Sequence, residues 1–150
     1  MSEQLFIAEK MSKLDNHVCF LVYALSRRII NKYRPLLDEL EITYPQYLVL
    51  MVLLDDEPQT VNQLGEKLHL DSGTLTPLLK RMELKKLISR CRKSCDERVV
   101  EIKLTDTGRA LWTKASVIPQ KAMESFPVTE EELMELKQIV VTILDKTNHP

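Results

Sequence analysis

The stretch Thr60–Leu104, TVNQLGEKLHLDSGTLTPLLKRMELKKLISRCRKSCDERVVEIKL, changes its period partway along, and that change decides the fold. Its first part steps at helical spacing, with Val61, Leu64 and Leu68 forming one narrow apolar stripe. Asp71-Ser72 offers a cap for another helix running to about Leu84. Pro77 is awkward inside it, because beyond the first turn a proline removes an amide donor. Then the period drops to two. Val100, Ile102 and Leu104 alternate with Val99, Glu101 and Lys103, the pattern of a half-buried strand. Leu87–Cys91 suits its antiparallel partner, with Arg92–Glu97 as the polar hairpin tip. A short helix, a tight turn, a second helix and a basic hairpin make a winged helix-turn-helix, whose second helix is shaped for a major groove.

Outward from this stretch the capping signals continue. Thr43 with Gln46, Thr60 with Gln63 and Thr129 with Glu132 each have capping-box spacing, and Pro45 suits the first of these starts. Before Thr43, the residues Leu14, Val18, Leu21, Leu25, Ile29, Tyr33, Leu36 and Leu40 recur every three or four positions, a long helix that Pro35 should kink or divide. Tyr47–Leu54 is apolar almost all round and reads as a buried helix. Thr105 caps a fifth helix through Ala115 or beyond, and Leu133, Leu136, Val140 and Ile143 stripe a final one. The expectation is one mainly α domain with a small β-hairpin. About 43–104 form the DNA-binding part, and the helices of about 10–42 and 105–146 form a dimer interface.

Composition is that of an ordinary globular chain, with 44% hydrophobic and 29% charged residues. No apolar run is long enough to span a bilayer, and Met1–Lys10 lacks the basic and apolar segments of a signal peptide. The expectation is a cytoplasmic protein, independent of membranes, whose cysteines start reduced. Net charge is only -1, but the charge is unevenly placed. Lys80, Arg81, Lys85, Lys86, Arg90, Arg92, Lys93 and Arg98 crowd one segment against Glu83, Asp96 and Glu97. Thr129–Glu135, by contrast, carries only acidic charge. On charge alone the basic segment reads rather as a solvated face than as a phosphate-binding one.

Longer strings point to a family. Asp96-Glu97-Arg98, then Leu104-Thr105 and Gly108, resemble the wing signature of MarR-type transcription regulators. The run Leu70 to Arg81, LDSGTLTPLLKR, resembles the recognition helix of the organic-hydroperoxide-sensing, OhrR-like subgroup and its SarZ and MgrA relatives. Val18-Cys19-Phe20, Tyr23, Tyr33, Pro35 and Thr43-Tyr44-Pro45-Gln46-Tyr47 resemble the same subgroup, and the likeness weakens before Lys13 and after about Val117. It implies a homodimer on operator double-stranded DNA, with no cofactor and no enzymatic activity. Ser72, Thr74, Thr76, Lys80 and Arg81 would meet bases and phosphates in the major groove, flanked by Arg92 and Lys93. Arg98, held by Asp96, would reach a minor groove.

Taken alone, Cys19 beside Phe20, Leu21 and Val22 reads as a small core residue. The resemblance instead makes it the reactive thiol. Tyr33 and Tyr44 would hydrogen-bond it across the dimer, and Tyr23 would belong to the same pocket. Phenol donors favour a thiolate, and oxidation would place a polar oxygen in a packed site. No cysteine lies within Thr105–Pro150 to resolve a sulfenate, so the implied signal is an organic hydroperoxide followed by a low-molecular-weight thiol. Cys91 and Cys95 fall in the wing, either as secondary thiols or as an incidental pair. With His69 they make too few ligands for zinc, and no metal is expected. Three alternatives stay open: a regulator answering a small ligand, a peroxide-destroying enzyme using Cys19, and an adaptor using the acidic last helix.

Overall fold

The computed structural model describes residues 13–148, so the reading of Met1–Lys10 lies outside the described residues. Helix α1 (Val18–Asp38) leads through a corner to α2 (Tyr44–Asp55), then β1 (Gln59–Thr60), α3 (Val61–Leu68) and α4 (Ser72–Leu84). The hairpin β2 (Ile88–Lys93) and β3 (Asp96–Leu104) follows, and α5 (Asp106–Ala115), α6 (Ile118–Glu124) and α7 (Glu130–Thr147) complete the chain. The sheet is three-stranded in the order β1-β3-β2, because Gln59 and Thr60 pair antiparallel with Ile102 and Glu101. Two residues carry too little periodicity to announce a strand. No helix of the described residues is long and apolar enough to cross a membrane.

The core fills the space between α2, α3, α4 and the sheet. Leu50, Leu53, Leu64, Leu75, Leu79, Met82 and Ile102 are all fully buried there. Each helix start is fixed locally. All three capping boxes form: the Thr43, Thr60 and Thr129 amides donate to Gln46, Gln63 and Glu132 at 2.8–3.0 Å. The threonine hydroxyls accept in return from the amides three residues on. Asp71 and Thr105 cap α4 and α5 in the same way, accepting from Thr74 and Gly108.

Several elements differ from the sequence reading. Leu14 lies in a short 3-10 turn, and α1 begins only at Val18, capped by His17 Nδ1. Pro35 does not divide α1, and Pro77 sits inside α4. Both prolines are exposed, as are Asn31 and Gly73 four residues earlier. Water can therefore satisfy the carbonyls that lose a donor. A separate α6 begins after Ser116, where one continuing helix was an open expectation.

Three helix ends share one device without glycine. Glu41, His69 and Lys86 adopt left-handed φ of 55, 53 and 60°. After each, the next amide reaches back to Leu37, Gly65 or Met82. Those bonds satisfy carbonyls that would otherwise be orphaned, in a Schellman arrangement. The turn between α3 and α4 is thereby tight, and Gly65 makes it possible. A Cβ there would lie 2.7 Å from the Leu70 carbonyl oxygen.

Candidate nucleic-acid interface and thiol site

Helix α4 divides cleanly by face. Leu75, Leu78, Leu79 and Met82 are buried, while Ser72, Thr74, Thr76, Lys80 and Arg81 are exposed. At about 100° per residue, Ser72, Thr76 and Lys80 form one row, and Thr74 with Arg81 a second about 100–200° further round. Gly73 and Pro77, both exposed, lie between the rows. Thr74 and Arg81 also border a groove of about 580 Å³ against Thr43, Pro45 and Gln46 at the start of α2. Asp71 accepts the Thr74 amide at 2.7 Å, and that bond holds its carboxyl below the ordinary value.

The wing differs from its expected form. The turn is only Ser94-Cys95, since Lys93 already pairs with Asp96. The register then jumps, because Arg92 pairs with Val100 and leaves Glu97, Arg98 and Val99 without partners on β2. Such a bulge re-aims side chains. Asp96 steadies it by accepting the Arg98 backbone amide at 3.0 Å; the bond goes to the main chain and not to the guanidinium. Arg98 lines a cleft of about 220 Å³ with Thr60, Val61 and Asn62 at the start of α3.

The basic segment is partly neutralised within the fold. Arg90 pairs with Glu83 at 2.8 Å, Lys93 with Glu101 at 3.6 Å, and Lys85 donates to the Glu41 carbonyl. Lys80, Arg81, Arg92 and Arg98 are exposed and make no ion pair among the described residues. Cys91 and Cys95 are both exposed free thiols, Cys91 on β2 opposite Glu101 and Cys95 in the turn.

The thiol region corrects one simple reading. Cys19 is exposed on α1, not a core residue, and Tyr23 one turn later is 59% exposed beneath Arg27. Tyr33 and Tyr44 do come together, edge to face with centroids 5.1 Å apart. Burial raises both phenol pKa values above 10.0. They therefore keep their protons, and so a donor each, at neutral pH. Cys19 lies fourteen residues before Tyr33 on the same helix, about 21 Å along its axis. Within one chain, then, the thiol and the tyrosine pair stay apart.

Two residues of this region were not singled out from the sequence as part of the site. Tyr47, fully buried, lies 6.0–6.2 Å from both tyrosines and stacks on Trp112 of α5 at 5.6 Å and 21°. The TYPQY string places Tyr44 and Tyr47 three residues apart, and hence on neighbouring faces. Trp112 has no such local signal. Its position follows from how α5 is clamped at its other end. Gly108 packs so closely on the Leu87 carbonyl that a Cβ would sit 2.2 Å from its oxygen, and Arg109 pairs with Glu57.

A helix-turn-helix with one buried and one polar face on its second helix, followed by a bulged basic wing, defines a winged-helix regulator. A family model described as transcriptional regulator SarA/Rot matches residues 29–114. The organic hydroperoxide resistance transcriptional regulator of Bacillus subtilis (strain 168) is 50% identical over 133 residues, covering 89% of this chain and 90% of that protein. The HTH-type transcriptional regulator SarZ of Staphylococcus epidermidis is 42% identical over 140 residues, covering 91% and 95%. A solved structure of reduced AbfR bound to DNA superposes with a TM-score of 0.76 at 35% identity, over 91% of this chain and 93% of that one. The chain belongs to the MarR-type family of transcriptional regulators, in its OhrR-like group.

Proposed function

We propose that the chain is a homodimeric repressor of sequence-specific double-stranded DNA, released when Cys19 is oxidised by an organic hydroperoxide or related oxidant. The observation that carries this reading is the separation of an exposed Cys19 from a preformed Tyr33–Tyr44 pair. A second copy with antiparallel α1 helices completes the pocket, bringing each thiol to the other chain's phenols. Exposed apolar side chains on α1 and α7 favour such pairing: Val18, Leu21, Ile139 and Ile143 are 48–59% exposed. Tyr23, on the Cys19 face of α1, borders the same pocket.

The thiolate sulfur attacks the peroxide, the O–O bond breaks, and the alkoxide leaves as an alcohol after taking a proton. Sulfur is oxidised by two electrons to a sulfenic acid. A low-molecular-weight thiol then forms an S–S bond and releases water. Ser72, Thr74, Thr76, Lys80 and Arg81 act in the major groove, Arg92 and Lys93 on phosphates, and Arg98 in the minor groove. Its proposed setting is a reducing cytoplasm, which suits three free thiols.

The test is binding to the protein's own upstream DNA, with and without cumene hydroperoxide, for wild type and Cys19→Ser. Release of the wild type and retention of the variant are expected. Release of both would overturn the thiol mechanism. With a thiol reductant supplied in excess, many turnovers of hydroperoxide per protomer together with no operator binding would mark a thiol peroxidase instead.

A further inference from the structure

Tyr47 is the structural bridge between the tyrosine pair and the part of the molecule that carries the wing. Its ring packs near both Tyr33 and Tyr44, with centroids 6.0–6.2 Å apart, and is stacked on Trp112. Its hydroxyl is buried without a hydrogen-bond partner among the described residues, and the ring lies within an aromatic cluster. Trp112 sits on α5, whose first turn is fastened to the wing base in three ways. Thr105 Oγ1 donates to the Lys86 carbonyl, Gly108 lies against Leu87, and Arg109 pairs with Glu57. Glu57 in turn accepts the Leu104 amide at the end of β3 at 2.9 Å.

We infer that Trp112 is a positioning residue which, through its stack on Tyr47, couples the state of the Tyr33–Tyr44 pair to the placement of the wing. The inference rests on the proposed thiol switch and assigns it a mechanical route. A shift of the tyrosines displaces Tyr47, Tyr47 displaces Trp112, and α5 carries the motion to the ends of β2 and β3. Closely packed interiors transmit such displacements because they have no slack to absorb them.

Trp112 is the chain's single tryptophan, so the intact protein supplies its own probe. Cumene hydroperoxide should shift Trp112 emission in wild type but not in Cys19→Ser. In the full-length protein, Trp112→Leu should bind reduced upstream DNA within about threefold of wild type, yet lose at least tenfold less affinity on oxidation. Trp112→Phe, which keeps a ring on Tyr47, should restore most of that response. Oxidative release of Trp112→Leu equal to that of wild type, or an unchanged emission while wild type releases DNA, would overturn the coupling and leave the thiol switch standing. A wild type that keeps its DNA after oxidation would overturn both together.

Discussion

The winged helix-turn-helix and the last helix, α7, use the same apolar residue types and bury them oppositely. Leu64, Leu75, Leu79 and Ile102 are 0% exposed, whereas no residue of α7 is buried, and Ile139 stands at 59%. One region is complete within a single chain; the other has its apolar stripe in place and nothing folded over it. In the proposed mechanism DNA reading and sensing are divided in the same way: the first uses surface side chains on a finished core, and the second is assembled across two chains.

That contrast can be broken most forcefully in the finished core. Leu79→Ala should lower unfolding free energy by about 2–5 kcal/mol, read from urea titration, through the cavity it leaves. A loss below about 1 kcal/mol would mean that the lobe is not tightly packed. On the unfinished side, Ile139→Glu with Ile143→Glu should weaken dimerisation by at least about 100-fold, or about 2.7 kcal/mol, in sedimentation equilibrium. The winged region should keep its fold, and an unchanged dimer would move the interface away from α7.

Smaller effects sharpen the division. Arg98→Ala should weaken operator binding by about 1–3 kcal/mol with the dimer intact, measured at matched salt. Because Asp96 holds the Arg98 main chain, Asp96→Ala should also weaken binding without removing a cation. Thr43→Ala should cost about 1 kcal/mol of stability through the lost cap at the start of α2.

The pH dependence is the mildest test. Burial raises the Tyr47 pKa to about 12, with Tyr33 and Tyr44 adding to the rise, and those two phenols are raised as well. Their stabilising contribution is fully present below the unfolded value near pH 10 and is lost as pH climbs through the folded values. Urea midpoints at about pH 8 and about pH 11 should therefore diverge. Tyr47→Phe should narrow the gap and leave the neutral midpoint little changed. A gap as wide as that of wild type would show that Tyr47 does not carry the effect.

The sequence by itself determined the helix starts, the two-period hairpin and the polar face of α4. Each is a local matter of side chains and amides a few residues apart. The capping threonines and the Val100, Ile102, Leu104 alternation needed no distant partner to be legible. Only the tertiary structure decided how helices end, because Glu41, His69 and Lys86 take left-handed conformations that local propensity disfavours and packing imposes. It also decided that β1 exists, that α6 is separate, and that the wing bulges at Glu97–Val99. The site divides along the same line. Cys19 and the tyrosines were named by family resemblance, but their separation within one chain and the joining of Tyr47 to Trp112 depend on where helices cross. Contacts between residues as far apart in sequence as 47 and 112 leave no local pattern, since their spacing is set by the whole core between them.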